Sequence, residues 1–74
     1  MSRPNLTPWY SYGDGWQRTQ REPYLDAEVM SAADGGWRWR VSTIEGQVIQ
    51  SGWHVLSELA RVSCDAVLAE RGGQ

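Results

Sequence analysis

Lysine and phenylalanine are absent from these 74 residues, and cysteine and histidine occur once each, as Cys64 and His54. A lone cysteine forms no internal disulfide and fits a reducing compartment. One cysteine and one histidine also fall short of the four ligands that a structural zinc requires. The usual staples of a very small domain are therefore missing, although a chain this short buries a smaller fraction of its surface than a larger one. Good packing or self-association has to supply the difference. No run of about eighteen apolar residues occurs, and no apolar stretch follows the N-terminal arginine, so neither a membrane span nor a secretory signal is expected. The sequence reads as that of a cytoplasmic protein.

Catalytic constellations are lacking too. No nucleophile stands beside a base at a useful spacing, no carboxylates are paired for acid–base work, and no metal cluster can be assembled. The Gly13-Asp14-Gly15 and Asp34-Gly35-Gly36 segments have neither the lysine nor the strand-to-helix context of a phosphate loop, and they read as turns. His54 is expected to be exposed or to cap the helix that follows it, and Cys64 to be a small buried thiol. The expectation is a non-enzymatic chain with no cofactor and no metal.

What is present is unusual. Five Trp and three Tyr supply the large apolar groups, so nearly all of them carry a polar tip that wants a hydrogen bond or water. All seven basic residues are Arg, which stacks on rings and forms planar bidentate pairs, and the net charge is −2.

Residues 1–23 contain Pro4, Pro8 and Pro23 and follow neither structural period, which predicts an irregular aromatic N-terminal arm. Its Trp9, Tyr10, Tyr12 and Trp16 are candidates to cover an open edge of the core or to contact a partner. Residues 24–74 read as a β-β-β-α domain. Tyr24 to Ser31 alternates, with Leu25, Ala27 and Val29 on one face and Asp26 and Glu28 on the other. After the Asp34-Gly35-Gly36 turn, Trp37 to Thr43 alternates without a break, with Trp37, Trp39 and Val41 inward and Arg38 and Arg40 outward. Glu45-Gly46 reverses the chain into a third strand, Gln47 to Ser51, whose adjacent Val48 and Ile49 point to opposite faces and leave the register open.

Beyond Gly52 the period becomes helical. Val55, Leu59, Val62 and Ala66 form one row and Leu56, Ala60, Ser63 and Val67 the next, together making an apolar stripe. Glu58, Arg61 and Asp65 lie opposite, Ser57 is a candidate N-cap with a start nearer Trp53 as the alternative, and Gly72-Gly73 is the expected end. Leu68 falls on the polar face, where it is a candidate contact with a second copy of the chain. The fold expected is α+β, a three-stranded antiparallel sheet packed by one C-terminal helix.

Gly36-Trp37-Arg38-Trp39-Arg40-Val41, then Gly46-Gln47-Val48-Ile49, then Ser57-Glu58-Leu59-Ala60-Arg61 resemble the β-β-β-α modules of plant AP2-type and integrase arm-binding domains. That resemblance implies a sheet laid in the DNA major groove with Arg38 and Arg40 as readers. Against a DNA role, Asp26 and Glu28 are expected on the same outer face, and an acidic chain lacks the usual electrostatic footprint for nucleic acid. In size and composition the chain is also similar to small phage and mobile-element proteins, including anti-CRISPR proteins, which block a host machine by occupying a surface. The leading expectation is a protein-binding module, an accessory or inhibitory factor, with Trp9, Tyr10, Tyr12, Trp16, Arg38 and Arg40 at the interface and a homodimer through Leu68. Nucleic-acid binding through the sheet is the alternative.

Overall fold

The computed structural model describes residues 6–21 and 23–72. Among these, the strands β1 (Tyr10–Tyr12), β2 (Gly15–Arg21), β3 (Tyr24–Ser31), β4 (Trp37–Thr43) and β5 (Val48–His54) precede one helix, α1 (Ser57–Gly72). The strands form a single antiparallel meander in the order β1-β2-β3-β4-β5. The α+β class expected from the sequence holds, but the sheet has five described strands instead of three. The difference lies in the segment read as an irregular arm, of which residues 1–5 and Glu22 lie outside the described residues. Residues 10–21 are sheet.

Gly13 starts the two-residue link between β1 and β2 with a φ of 52°, the left-handed geometry that lets a tight hairpin follow strand twist. The turn signal was visible, but the strands on either side of it were not. The face of β2 that meets the helix carries Trp16, Arg18 and Gln20, as fixed by the pairs Trp16↔Val29, Arg18↔Ala27 and Gln20↔Leu25. Polar residues thus sit where alternation demands apolar ones. They are tolerated because each is satisfied: Gln20 is buried and its Nε2 donates to the Pro23 carbonyl at 3.0 Å, while Arg18 donates to Thr7 and Asp65.

β3 and β4 occupy the expected ranges with the expected faces. Between β4 and β5 the register shifts, Val41 pairing with Gln50 and Ser42 with Val48, so Ile49 is an extra residue on β5. This bulge resolves the Val48–Ile49 ambiguity. Val48 is exposed on the outer side, and Ile49 packs against the core. β5 also runs on to His54, three residues beyond the expected end.

The core lies between the sheet and α1 and is made of Leu25, Ala27, Val29, Trp39 and Val41 from the sheet with Ala60, Cys64, Val67 and Leu68 from the helix. The helix is therefore rotated relative to the face expected from its sequence. Leu68 is fully buried and Val55, Leu56, Leu59 and Val62 are exposed. Its rotation follows from β2: the Arg61 guanidinium lies 4.0 Å from the Trp16 ring centroid, and Asp65 accepts from Arg18 at 2.7 Å and from Trp9 Nε1 at 3.4 Å. These groups draw the nominally polar face of the helix toward the sheet. Leu68, one turn from Cys64 on that face, goes with them. The Leu56 carbonyl accepts the first helical hydrogen bond, from Ala60, so the cap position belongs to Leu56 and not Ser57. The helix continues through Gly72, and Gly73 lies outside the described residues. No described helix is long and apolar enough to cross a membrane.

Candidate interaction surface

The face of the sheet opposite the helix is open, and cross-strand pairing sets its composition. One row reads Tyr12, Gly15, Met30, Arg38, Trp53, and the next reads Tyr10, Gln17, Glu28, Arg40, Ser51. A solvated antiparallel face ordinarily carries polar residues. Here Trp53 and Met30 are 47% and 49% exposed, and Tyr10, Tyr12 and Tyr24 are exposed with them.

A hollow of about 500 Å³ opens near the β5 end, bounded chiefly by Met30, Arg38, Arg40, Ser51 and Trp53. One wall is fixed by the turn before β4. Asp34 Oδ1 accepts the Gly36 N–H at 3.1 Å and Trp53 Nε1 at 3.2 Å, which holds the indole over a residue that has no side chain. Both donors favour the carboxylate, the Gly36 N–H most, and lower the Asp34 pKa below its ordinary value.

Across the middle of the face, Glu28 gathers three strands. It pairs with Arg40 on β4 and accepts the Tyr12 hydroxyl of β1 at 3.0 Å. The Arg40 hydrogen bond is the main reason that the Glu28 pKa lies below the usual carboxylate value. The Tyr12 pKa is raised, first by its burial and then by the bond to Glu28. Arg40 is thus compensated internally, as its position opposite Glu28 predicts. Arg38 faces Met30 and Trp53, and among the described residues it has no carboxylate within ion-pair distance.

The candidate residues named from sequence divide between the two faces. Tyr10, Tyr12, Arg38 and Arg40 share the open face. Trp9 and Trp16 do not: they are half-buried on the helix side, packed on the core under the guanidiniums of Arg18 and Arg61. Leu68 is removed from any surface by its burial in the core. Sequence reasoning missed Met30, Tyr24 and Trp53. Met30 and Tyr24 have the parity of Asp26 and Glu28 and were legible. Trp53 was hidden because its strand was ended too early.

His54 and Cys64 both make contacts inside the fold. His54 Nε2 and Ser63 Oγ share a hydrogen bond of 2.7 Å that ties β5 to α1. Burial pushes the Cys64 thiol up to about 12, so it is protonated and a poor nucleophile at neutral pH. Among the described residues no three His, Cys, Asp or Glu side chains converge as a metal site would need.

No family model, no curated protein and no solved structure matches this chain.

Proposed function

We propose that this chain is a protein-binding module whose open sheet face seats on the surface of another protein. The observation that carries the reading is the exposure of Trp53, Met30, Tyr10 and Tyr12 on one continuous sheet face beside Arg38, which makes no ion pair among the described residues. Trp, Tyr, Met and Arg are the residue types enriched at the centres of protein interfaces, and Lys and Glu are depleted there. A rigid sheet also presents them with little ordering cost, since their backbones are already fixed. The hollow between Met30, Arg38 and Trp53 has the form of a socket for one anchoring side chain of the partner, with Arg38 able to receive a carboxylate at its rim.

The test is affinity capture from cells of the source organism with three forms of the chain, the wild type, Trp53→Ala with Arg38→Ala, and Val62→Ser on the far side of the molecule. A partner kept by the wild type and by Val62→Ser but lost by the sheet-face variant is the expected result. Loss with Val62→Ser alone would place the interface on the helix and end this reading. A parallel titration with a mixed-sequence DNA duplex separates the alternative. Salt-sensitive binding that is abolished by Arg38→Ala would transfer the face to nucleic acid.

A further inference from the structure

The two edges of the sheet are built differently. On one side β1 is only three residues long, and Pro8 interrupts the chain between it and the Leu6↔Gln20 bridge that lies farther along β2. Short edge strands and prolines are the usual means by which a sheet avoids pairing with another chain. On the other side β5 has seven residues, Val48-Ile49-Gln50-Ser51-Gly52-Trp53-His54, with no proline, no lysine and no carboxylate. Its bulge sits at Ile49, which leaves Gln50 to His54 as regular edge. Paired on one side by β4, this strand directs alternate backbone N–H and C=O groups outward to where a sixth strand would lie.

Apolar surface lies beside the edge on both faces. On the open face stand Trp53 and Val48, and on the helix side stand Leu56 and Leu59, all about half exposed. A recess of about 240 Å³ between Gln50, Ser63, Ala66 and Glu70 opens next to the same edge. A hydrogen-bonding strand flanked above and below by apolar groups has the anatomy of an interface, not of a solvated margin.

We propose that β5 pairs antiparallel with β5 of a second copy, about a two-fold axis at Gly52, to form a continuous ten-stranded sheet. The occupant is a second copy because the edge is complementary to itself. With Gly52 on the axis, Trp53 of one copy lies opposite Ser51 of the other, so a large side chain meets a small one on the open face. Gln50 meets His54 on the helix side. No like charges are brought together within the paired strands, since β5 contains no acidic residue and no arginine. The ladder is short: the five paired residues, Gln50 to His54, span about 17 Å, and the shortest dimension of the molecule is 18 Å. Two such footprints bury on the order of 600 Å², the size of a weak, concentration-dependent contact. The pairing also relieves the weakness of a core this small by shielding Leu56 and Leu59. It leaves both open faces outward, so the dimer displays two copies of the Trp53 and Arg38 surface side by side.

Sedimentation equilibrium of the wild-type chain from about 10 μM to about 1 mM, a range that spans weak dimers, is expected to show the mass rising from 8.4 kDa to twice that value. A mass of one chain throughout would overturn the proposal. Amide hydrogen exchange at Gln50 to His54 is expected to slow as concentration rises, and a dimer with no such protection would place the contact elsewhere. Ser51→Lys puts a charge on the edge and is expected to weaken association on the order of tenfold; an undiminished dimer in that variant counts against the edge. If the variant does not fold, the exchange measurement on the wild type decides.

Discussion

The indole of Trp53 occupies the space that a Cβ on Gly36 would need, and Asp34 holds it there through Nε1. Gly36 is therefore required by the neighbour strand's side chain and not by a positive φ. In Gly36→Ala the ring has to swing outward, which it can do because half of its surface faces solvent. The expected cost is about 1 kcal/mol, that of one exposed hydrogen bond and its contacts. A shifted indole N–H resonance for Trp53 with a melting temperature lower by about 4–8 °C is the outcome to look for. Partner capture by the open face should fall in parallel, since one wall of the hollow is lost.

Asp65 joins the helix to β2 and to the segment before β1, receiving Arg18 at 2.7 Å and Trp9 at 3.4 Å. Arg18 is mostly shielded, so removing its partner leaves a poorly solvated cation. Asp65→Ala is expected to cost about 2 kcal/mol in urea unfolding. Arg18→Met in the same background should recover part of that loss, because no unpaired charge then remains under the helix. A full loss in the double variant would mean that Asp65 acts through Trp9 alone.

These two contacts also show where the sequence was readable and where it was not. β3 and β4 alternate because each has one apolar and one polar face, and both were found with their faces correct. β2 has polar residues on both faces, since its inward Arg18 and Gln20 are satisfied by Asp65 and Pro23, partners that only the folded chain brings near. The helix misled for the same reason. Its sequence offers two faces of similar hydrophobicity, and Arg61 and Asp65 decide between them by meeting Trp16 and Arg18. The open face was half legible: Arg38, Arg40, Tyr10 and Tyr12 were named, but Trp53 required knowing that the bulge at Ile49 lets β5 continue.

Glu28 provides a pH signature. Its folded pKa lies below the ordinary 4.5, chiefly through the Arg40 hydrogen bond. A depressed carboxylate stabilises the fold above the unfolded pKa, and that contribution disappears as pH falls through the folded value. Because Arg40 is half exposed, the effect is at most ~1 kcal/mol. The stability difference between wild type and Glu28→Gln is expected to be constant from pH 6 to about pH 5 and to close progressively below about pH 4.5, the ordinary carboxylate range. Chemical denaturation at a series of pH values checks it; a difference that persists unchanged into strong acid would show that Glu28 acts through packing instead of charge.

The rotation of α1 gives the sharpest test of the fold, because sequence and structure assign opposite roles to two of its residues, Val62 and Leu68. Leu68 is fully buried among core residues, so Leu68→Ala is expected to cost about 2–5 kcal/mol, a large share of the stability of a domain this small. Val62 points away from the sheet and is 63% exposed, so Val62→Ala should change stability by at most ~0.5 kcal/mol. A helix turned to bury Val55, Leu59 and Val62 would reverse that order. Urea midpoints of the two variants, measured at a low concentration to keep self-association out of the comparison, separate the two arrangements. A greater loss from Val62→Ala would also return Arg61 and Asp65 to solvent and break the contacts that explain β2.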